Sequence, residues 1–266
     1  VPCEDYNCNS CEEDYRNCTK CNRLYVAEGG ECFHNPFLVL DDENCTRKDR
    51  CNVTIFQDRN VQVYVNISTF TGKSQELDGG ALYIRNCGLM MNDTHFINCT
   101  SEVGGGALFV ANTMDQWNNV LLENLLFDNC QAVYGGAIYI YSSQNYNNVT
   151  FKDCRFFYNS ASTERSNLTE YFGGSAIYVT SKSFKLMKCS FKSLPGTKGA
   201  CKINNTFNRE EINGTNTKIL ASNDDEPEIV IFGCKFDSGE SAEDSIFIES
   251  NLANRVEISS CKFSGK

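Results

Sequence analysis

The chain has 266 residues, 16 cysteines, two histidines and a formal charge of −10. An acidic chain with no basic cluster excludes a nucleic-acid footprint, which needs concentrated Lys and Arg. Its longest apolar runs, such as Gly104 to Ala111, are too short for a membrane-spanning helix, so no membrane span is expected.

The first residues, "VPCEDYNC", read as the end left after removal of a signal peptide. Eight cysteines then crowd into residues 1–52: Cys3, Cys8, Cys11, Cys18, Cys21, Cys32, Cys45 and Cys51. Their density and the lack of a strand repeat mark a small disulfide-rich module with bridges among these eight. With only two histidines in the chain, disulfides and an oxidising compartment are favoured over zinc. The pairs "CNSC" and "CTKC" do have zinc-ligand spacing, but the neighbouring cysteines and a glycosylation sequon at Asn17 weigh against it. The stretch "CTKCNRLYVAEGGEC" resembles furin-like and growth-factor-receptor cysteine-rich repeats, and that resemblance implies nested disulfides.

Residues 53–266 carry a repeat. Each rung has an apolar residue, a second two positions on, and a Phe seven positions after the first. The rungs are Val63-Val65-Phe70, Leu89-Met91-Phe96, Val120-Leu122-Phe127, Val149-Phe151-Phe156, Phe184-Leu186-Phe191, Ile229-Ile231-Phe236 and Val256-Ile258-Phe263. Alternate residues of a strand share one face, so the first two point inward and a bend brings the Phe inward as well. Eight or nine residues beyond four of these Phe comes a glycine (Gly79, Gly105, Gly135, Gly199), and one rung delays it to Gly173. A second strand follows: "ALYI", "ALFV", "AIYI" or "AIYV", with "SIFI" as a late member.

A unit of this length with short strands and no helical period is one turn of a β-solenoid. The expected architecture is all-β: a right-handed parallel β-helix of about seven coils, headed by the small disulfide-rich N-terminal module. Like residues would stack about 4.8 Å apart and form a rod roughly 30 Å long, with Phe70, Phe96, Phe127, Phe156, Phe191, Phe236 and Phe263 as its core ladder. An antiparallel sandwich would not need this fixed register, a propeller needs longer blades, and a leucine-rich horseshoe needs a Leu and Asn framework. Polar stretches near 157–172 and 202–228 read as loop insertions, where recognition or glycan decoration would reside.

Ten Asn-x-Ser/Thr sequons occur, against about four expected by chance from 30 Asn. They are Asn17, Asn44, Asn52, Asn66, Asn92, Asn98, Asn148, Asn167, Asn204 and Asn213, and nine of the ten end in Thr. A secreted glycoprotein is the expectation, with N-linked glycans and no cofactor. Cys154, Cys189, Cys234 and Cys261 each precede the column Phe by two positions, while Cys99 and Cys130 follow it by three. Stacked residues lie within disulfide reach, so bridges Cys99–Cys130, Cys154–Cys189 and Cys234–Cys261 are expected, with buried thiols as the alternative. Cys87 and Cys201 have no column mate.

Gly79-Gly80-Ala81, Gly105-Gly106-Ala107, Gly135-Gly136-Ala137 and Gly173-Gly174-Ser175-Ala176 accompany Phe96-Asn98-Cys99, Phe127-Asn129-Cys130 and Phe156-Asn159. Together these resemble the GGA(I/L/V) and FxxN repeats of polymorphic outer membrane proteins and related surface proteins of some protists, over about residues 60 to 266. The resemblance implies a β-helical domain exposed at a cell surface with adhesive roles. Enzymes of polysaccharide breakdown also use parallel β-helices, but they need clustered carboxylates or bound Ca²⁺. Here Asp93, Asn124, Asp153, Lys188, Gly233 and Ser260 share one column and build no cleft, and His34 and His95 stand alone. The function expected is therefore that of a non-enzymatic surface or secreted adhesin, at the cell surface or outside the cell. Its partner would be an extracellular protein or a glycan. The alternatives are a self-assembling fibre subunit joined through open β-helix ends and the cysteine-rich module, and a polysaccharide-binding or polysaccharide-degrading protein.

Overall fold

Side chains alternate between the two faces of a strand, so a chain that repeats apolar-x-apolar can bury one face of every strand against its successor. The computed structural model shows this arrangement. It describes residues 62–76, 78–112, 119–142, 148–161, 174–194, 199–205, 228–237, 245–250 and 255–265. It also describes strands at Cys8–Cys11, Cys18–Cys21, Tyr25–Glu28, Glu31–His34, Phe37–Leu40 and Val53–Phe56. These residues are all-β, with no helix among them.

Parallel strands stack in the pattern of a parallel β-helix, as three long sheets and one short ribbon. The first sheet has seven strands from Val53–Phe56 to Ile246–Ser250, and the second has eight from Phe37–Leu40 to Arg255–Ser259. The third has seven from Thr69–Thr71 to Lys262–Ser264, and the ribbon has four from Ser74–Gln75 to Ser160–Ala161. One pass of the chain visits all four in order: Leu82–Arg85, Gly88–Asn92, His95–Ile97, Thr100–Ser101.

Register places like on like. In the second sheet Val63, Leu89, Val120, Val149, Phe184, Ile229 and Val256 form one column. The seven phenylalanines form another in the third sheet, with successive ring centroids 4.8–5.0 Å apart and planes within 7°. In the first sheet Leu82, Leu108, Ile138, Ile177, Cys201 and Ile246 share a column, which gives Cys201 its place as a small apolar member of an aliphatic file. These columns fill one continuous apolar core.

Glycine pairs serve two separate needs. Gly79, Gly105, Gly135 and Gly174 turn the corner with positive φ of 69°, 61°, 54° and 95°. The second glycine is there for space, since a Cβ on Gly80 would lie 2.0 Å from the carbonyl oxygen of Gly106 in the next coil. The corner of the fourth repeat falls on Gly174-Ser175-Ala176, not on Gly173-Gly174. Ser175 stacks on Gly199-Ala200, where Gly174 N–H and Ser175 N–H both donate to Gly199 O.

Three further placements differ from the sequence expectation. Phe37–Leu40 pairs in parallel with Gln62–Asn66, so the stack takes in residues inside the span 1–52. The strand Ser160–Ala161 lies within the insertion expected at 157–172, and Cys201–Asn205 extends into the one expected at 202–228. Hydrogen bonds to coils already in register hold both segments, despite their polar sequence. Nearer the N-terminus, Cys8–Cys11 and Cys18–Cys21 pair antiparallel with Cys8 opposite Cys21 and Cys11 opposite Cys18, and Tyr25–Glu28 pairs antiparallel with Glu31–His34. The side chains of the eight N-terminal cysteines lie outside the described part of the molecule.

Candidate functional site

The corners between sheets decide where chemistry can reside. A residue with positive φ is uncommon outside Gly, Asn and Asp. One such residue stands at every bend from the second to the third sheet: Ile67, Asp93, Asn124, Asp153, Lys188, Gly233 and Ser260, with φ between 45° and 66°. The column of Asp93 and Asp153 is thus a backbone corner. Asp93 accepts from the amides of Asn92 and Asn124 through its carboxylate oxygens.

Seven of the eight described cysteines come directly after a left-handed corner residue: Cys87, Cys99, Cys130, Cys154, Cys189, Cys234 and Cys261. Each turns its Sγ–H back to the carbonyl two residues earlier, at 3.1–3.7 Å. Ser68 and Thr94 make the same bond with hydroxyls, to Asn66 O and Asn92 O at 2.9 Å. Asn159 stands in the Cys99–Cys130 column. It donates to Phe127 O and accepts from Cys130 N–H, tying two coils together.

The bridges Cys99–Cys130, Cys154–Cys189 and Cys234–Cys261 are not formed, and all eight described cysteines are thiols. Parallel stacking sets neighbouring Cβ atoms side by side and pointing the same way, whereas a disulfide needs them turned toward each other. Cys99, Cys130, Cys154, Cys234 and Cys261 also lie 3.3–3.7 Å from a carbonyl of the preceding coil. Burial pushes the Cys189 and Cys201 thiols well up and Cys87 up to about 11. The bond to the Cys99 thiol, with burial, does the same for Cys130, while Cys99 and Cys234 are drawn down by their bonds to Cys130 and Cys189.

The outward face of the first sheet carries an aromatic stripe. Tyr83 and Phe109 stack at 5.1 Å, Tyr139 meets Phe109 and Tyr178 edge-on at 5.2 and 5.0 Å, and Lys202 Nζ lies 5.3 Å from Tyr178 and 5.6 Å from Phe247. Such ring and cation contacts favour a desolvated stripe. It also explains a glycine that repeat matching leaves unassigned. Tyr139 lies over Gly104, where an added Cβ would come within 2.3 Å of its ring. Beside it Asp78 has a buried oxygen, Oδ1, without a partner. Burial raises the Asp78 pKa, and the Gly104 N–H opposes the rise.

On the outward face of the second sheet a groove of about 410 Å³ is lined by Tyr64, Met90 and Leu121, with Asn66, Asn92 and Glu123 along its side. The first three share one register column and the second three another. Asn66, Asn92 and Asn98 are exposed, and Asn148 and Asn204 are half-buried, with the Asn204 amide bonded to the Tyr178 hydroxyl. Asn17, Asn44, Asn52, Asn167 and Asn213 lie outside the described residues. His95 is half-buried on the third sheet, opposite Thr69 and Leu126. His34 ends an N-terminal strand, with its side chain outside the described part.

Among the described residues no group of three or more His, Cys, Asp or Glu side chains could hold a metal ion, and no helix is long and apolar enough to cross a membrane. No protein-family model, curated protein or solved structure matches the chain.

Proposed function

We propose that this is a secreted or cell-surface N-glycosylated protein whose stack of parallel strands is a right-handed β-helix of about seven coils behind a disulfide-rich module. In this reading the rod is a non-catalytic structural or adhesive element that binds an extracellular protein or glycan. Right-handed crossovers are the rule for parallel strands in one sheet. The observation that carries the reading is the placement of Asn66, Asn92 and Asn98. All three sequon asparagines are exposed, Asn66 and Asn92 as the last residues of their strands and Asn98 directly after the strand His95–Ile97. A glycan on any one of them would project from the rod without touching its core.

Secretion from a eukaryotic host tests the reading. Enzymatic removal of N-glycans should lower the intact mass by several glycans, and the glycosylated rod should bind immobilised extracellular glycan or protein surfaces. A secreted product with no glycan mass refutes the glycoprotein reading, and a glycosylated product with no surface binding refutes the adhesive one.

A further inference from the structure

We infer that Asn66 bears an N-glycan whose first N-acetylglucosamine folds back onto the groove over Tyr64 and Met90. The inference rests on the secretory reading above and adds a specific seat for the sugar. Residues i and i−2 of a strand share a face and lie about 6.8 Å apart, so Tyr64 and Asn66 project together from the strand Gln62–Asn66. The neighbouring strand sets Met90 beside Tyr64 and Asn92 beside Asn66. The groove therefore has an aromatic and thioether floor with an amide at its side. At about 410 Å³ it falls within the range of small-ligand clefts, about 300–1,000 Å³.

A pyranose presents a C–H face that packs on apolar and aromatic surface, and its N-acetyl methyl extends that contact toward Leu121. Because the sugar is covalently tethered, its contact with the floor is intramolecular and needs little intrinsic affinity. Met90, 38% exposed, is the apolar surface it would cover.

Asn66 is the better carrier of the two stacked asparagines. Asn92 Nδ2 donates to Asp93 Oδ2 at 2.9 Å, and two glycan stems on adjacent coils about 4.8 Å apart would collide. Attachment joins Asn66 Nδ2 to the anomeric carbon of the glycan. It breaks that carbon's bond to phosphate in a lipid-linked oligosaccharide donor and releases one amide proton. The Ser68 hydroxyl, which completes the sequon, is only 2% exposed and bonded to Asn66 O. Transfer must therefore precede closure of this corner.

The test uses the full chain secreted with oligomannose glycans. One endoglycosidase leaves a single N-acetylglucosamine on each site, and the chain made with glycan transfer blocked, in which every carrier stays Asn, supplies the sugar-free form. The single-sugar form should melt about 2–4 °C above the sugar-free form. That gap should close in Asn66→Gln and in Tyr64→Thr. In the wild type, which avoids any folding defect of a variant, peroxide should oxidise Met90 several-fold more slowly in the single-sugar form. If glycopeptide masses show Asn66 bare while other sequons are occupied, the inference fails and the secretory reading stands. An occupied Asn66 with no melting gap and unchanged Met90 oxidation also overturns it. A chain without glycan at any sequon overturns both.

Discussion

Removing one ring from the middle of the phenylalanine file tests the stacked architecture most directly. Phe127 is fully buried between Phe96 at 4.9 Å and Phe156 at 5.0 Å, so Phe127→Ala opens a cavity with rings on both sides. Truncating a buried Phe costs about 3–5 kcal/mol. For a domain of this size that is a fall in Tm of roughly 6–20 °C. Denaturant titration followed by circular dichroism gives the difference. Hydrogen exchange read by mass spectrometry locates the loss, which in a stacked array should centre on the coils next to the cavity and weaken away from it. A cost below about 1 kcal/mol, or a loss spread evenly over all sheets, would refute the column.

Three other outcomes are expected. Ile67 holds φ 45° with its side chain 65% exposed; since a β-branched residue is strained there, Ile67→Gly should stabilise by about 0.5–1 kcal/mol in urea melts, and a loss would show that the side chain has a partner. Burial raises the Asp78 pKa above its unfolded value, so the charged form opposes folding and stability grows as pH falls through the folded pKa. Asp78→Asn should accordingly raise Tm at pH 7, with the gain shrinking in acid; a gain independent of pH refutes that origin. Without reductant, maleimide should label only Cys261 among the eight described cysteines of the native rod and all eight after unfolding, whereas a mass deficit of about 2 Da per pair would reveal bridges instead.

Much of the register could be read in advance because it depends on spacing alone. An apolar residue at one position, another two later and a Phe seven later can all face inward only if a bend falls between them, and Val120, Leu122 and Phe127 do so at 1%, 0% and 0% exposure. The bend itself was harder to read. Its column holds Ile67, Asp93, Asn124, Asp153, Lys188, Gly233 and Ser260; four of these are Asp, Asn or Gly, which favour this φ, and the other three are not. Backbone conformation at a corner imposed by stacking leaves a weak trace in side-chain type. The ribbon through Thr100–Ser101 and Gln131–Ala132 was illegible for a related reason, as two-residue strands are too short to show alternation. The floor of the groove was visible as letters, Tyr64 and Met90, but not as a site. It exists only because two strands 26 residues apart lie in register.

The cysteines show how composition can mislead when the fold assigns a residue to a backbone task. Sixteen cysteines in an acidic chain suggest cross-links, yet seven of the eight described ones do what Ser68 and Thr94 do, returning a hydrogen to the carbonyl two residues back. A hydroxyl makes the stronger bond, while a thiol buries more cheaply when the carbonyl is also shared with the next coil. Cheaper burial of sulfur is one reason a thiol would be chosen, but exposure does not sort the column: Ser68 and Thr94 on the first two rungs are 2% and 0% exposed, Cys154 and Cys189 0% and 1%, and Cys261 is half-buried. Leu125, in the rung between, donates nothing, so its corner is the natural control. Leu125→Cys should be accepted in the column with a new thiol bond to Glu123 O, while Leu125→Ser should lose roughly 2 kcal/mol or more through lost apolar burial and a poorly hydrated hydroxyl. Paired urea melts decide it: if the Ser variant matches the Cys variant, cheaper burial is not what selects sulfur at these corners.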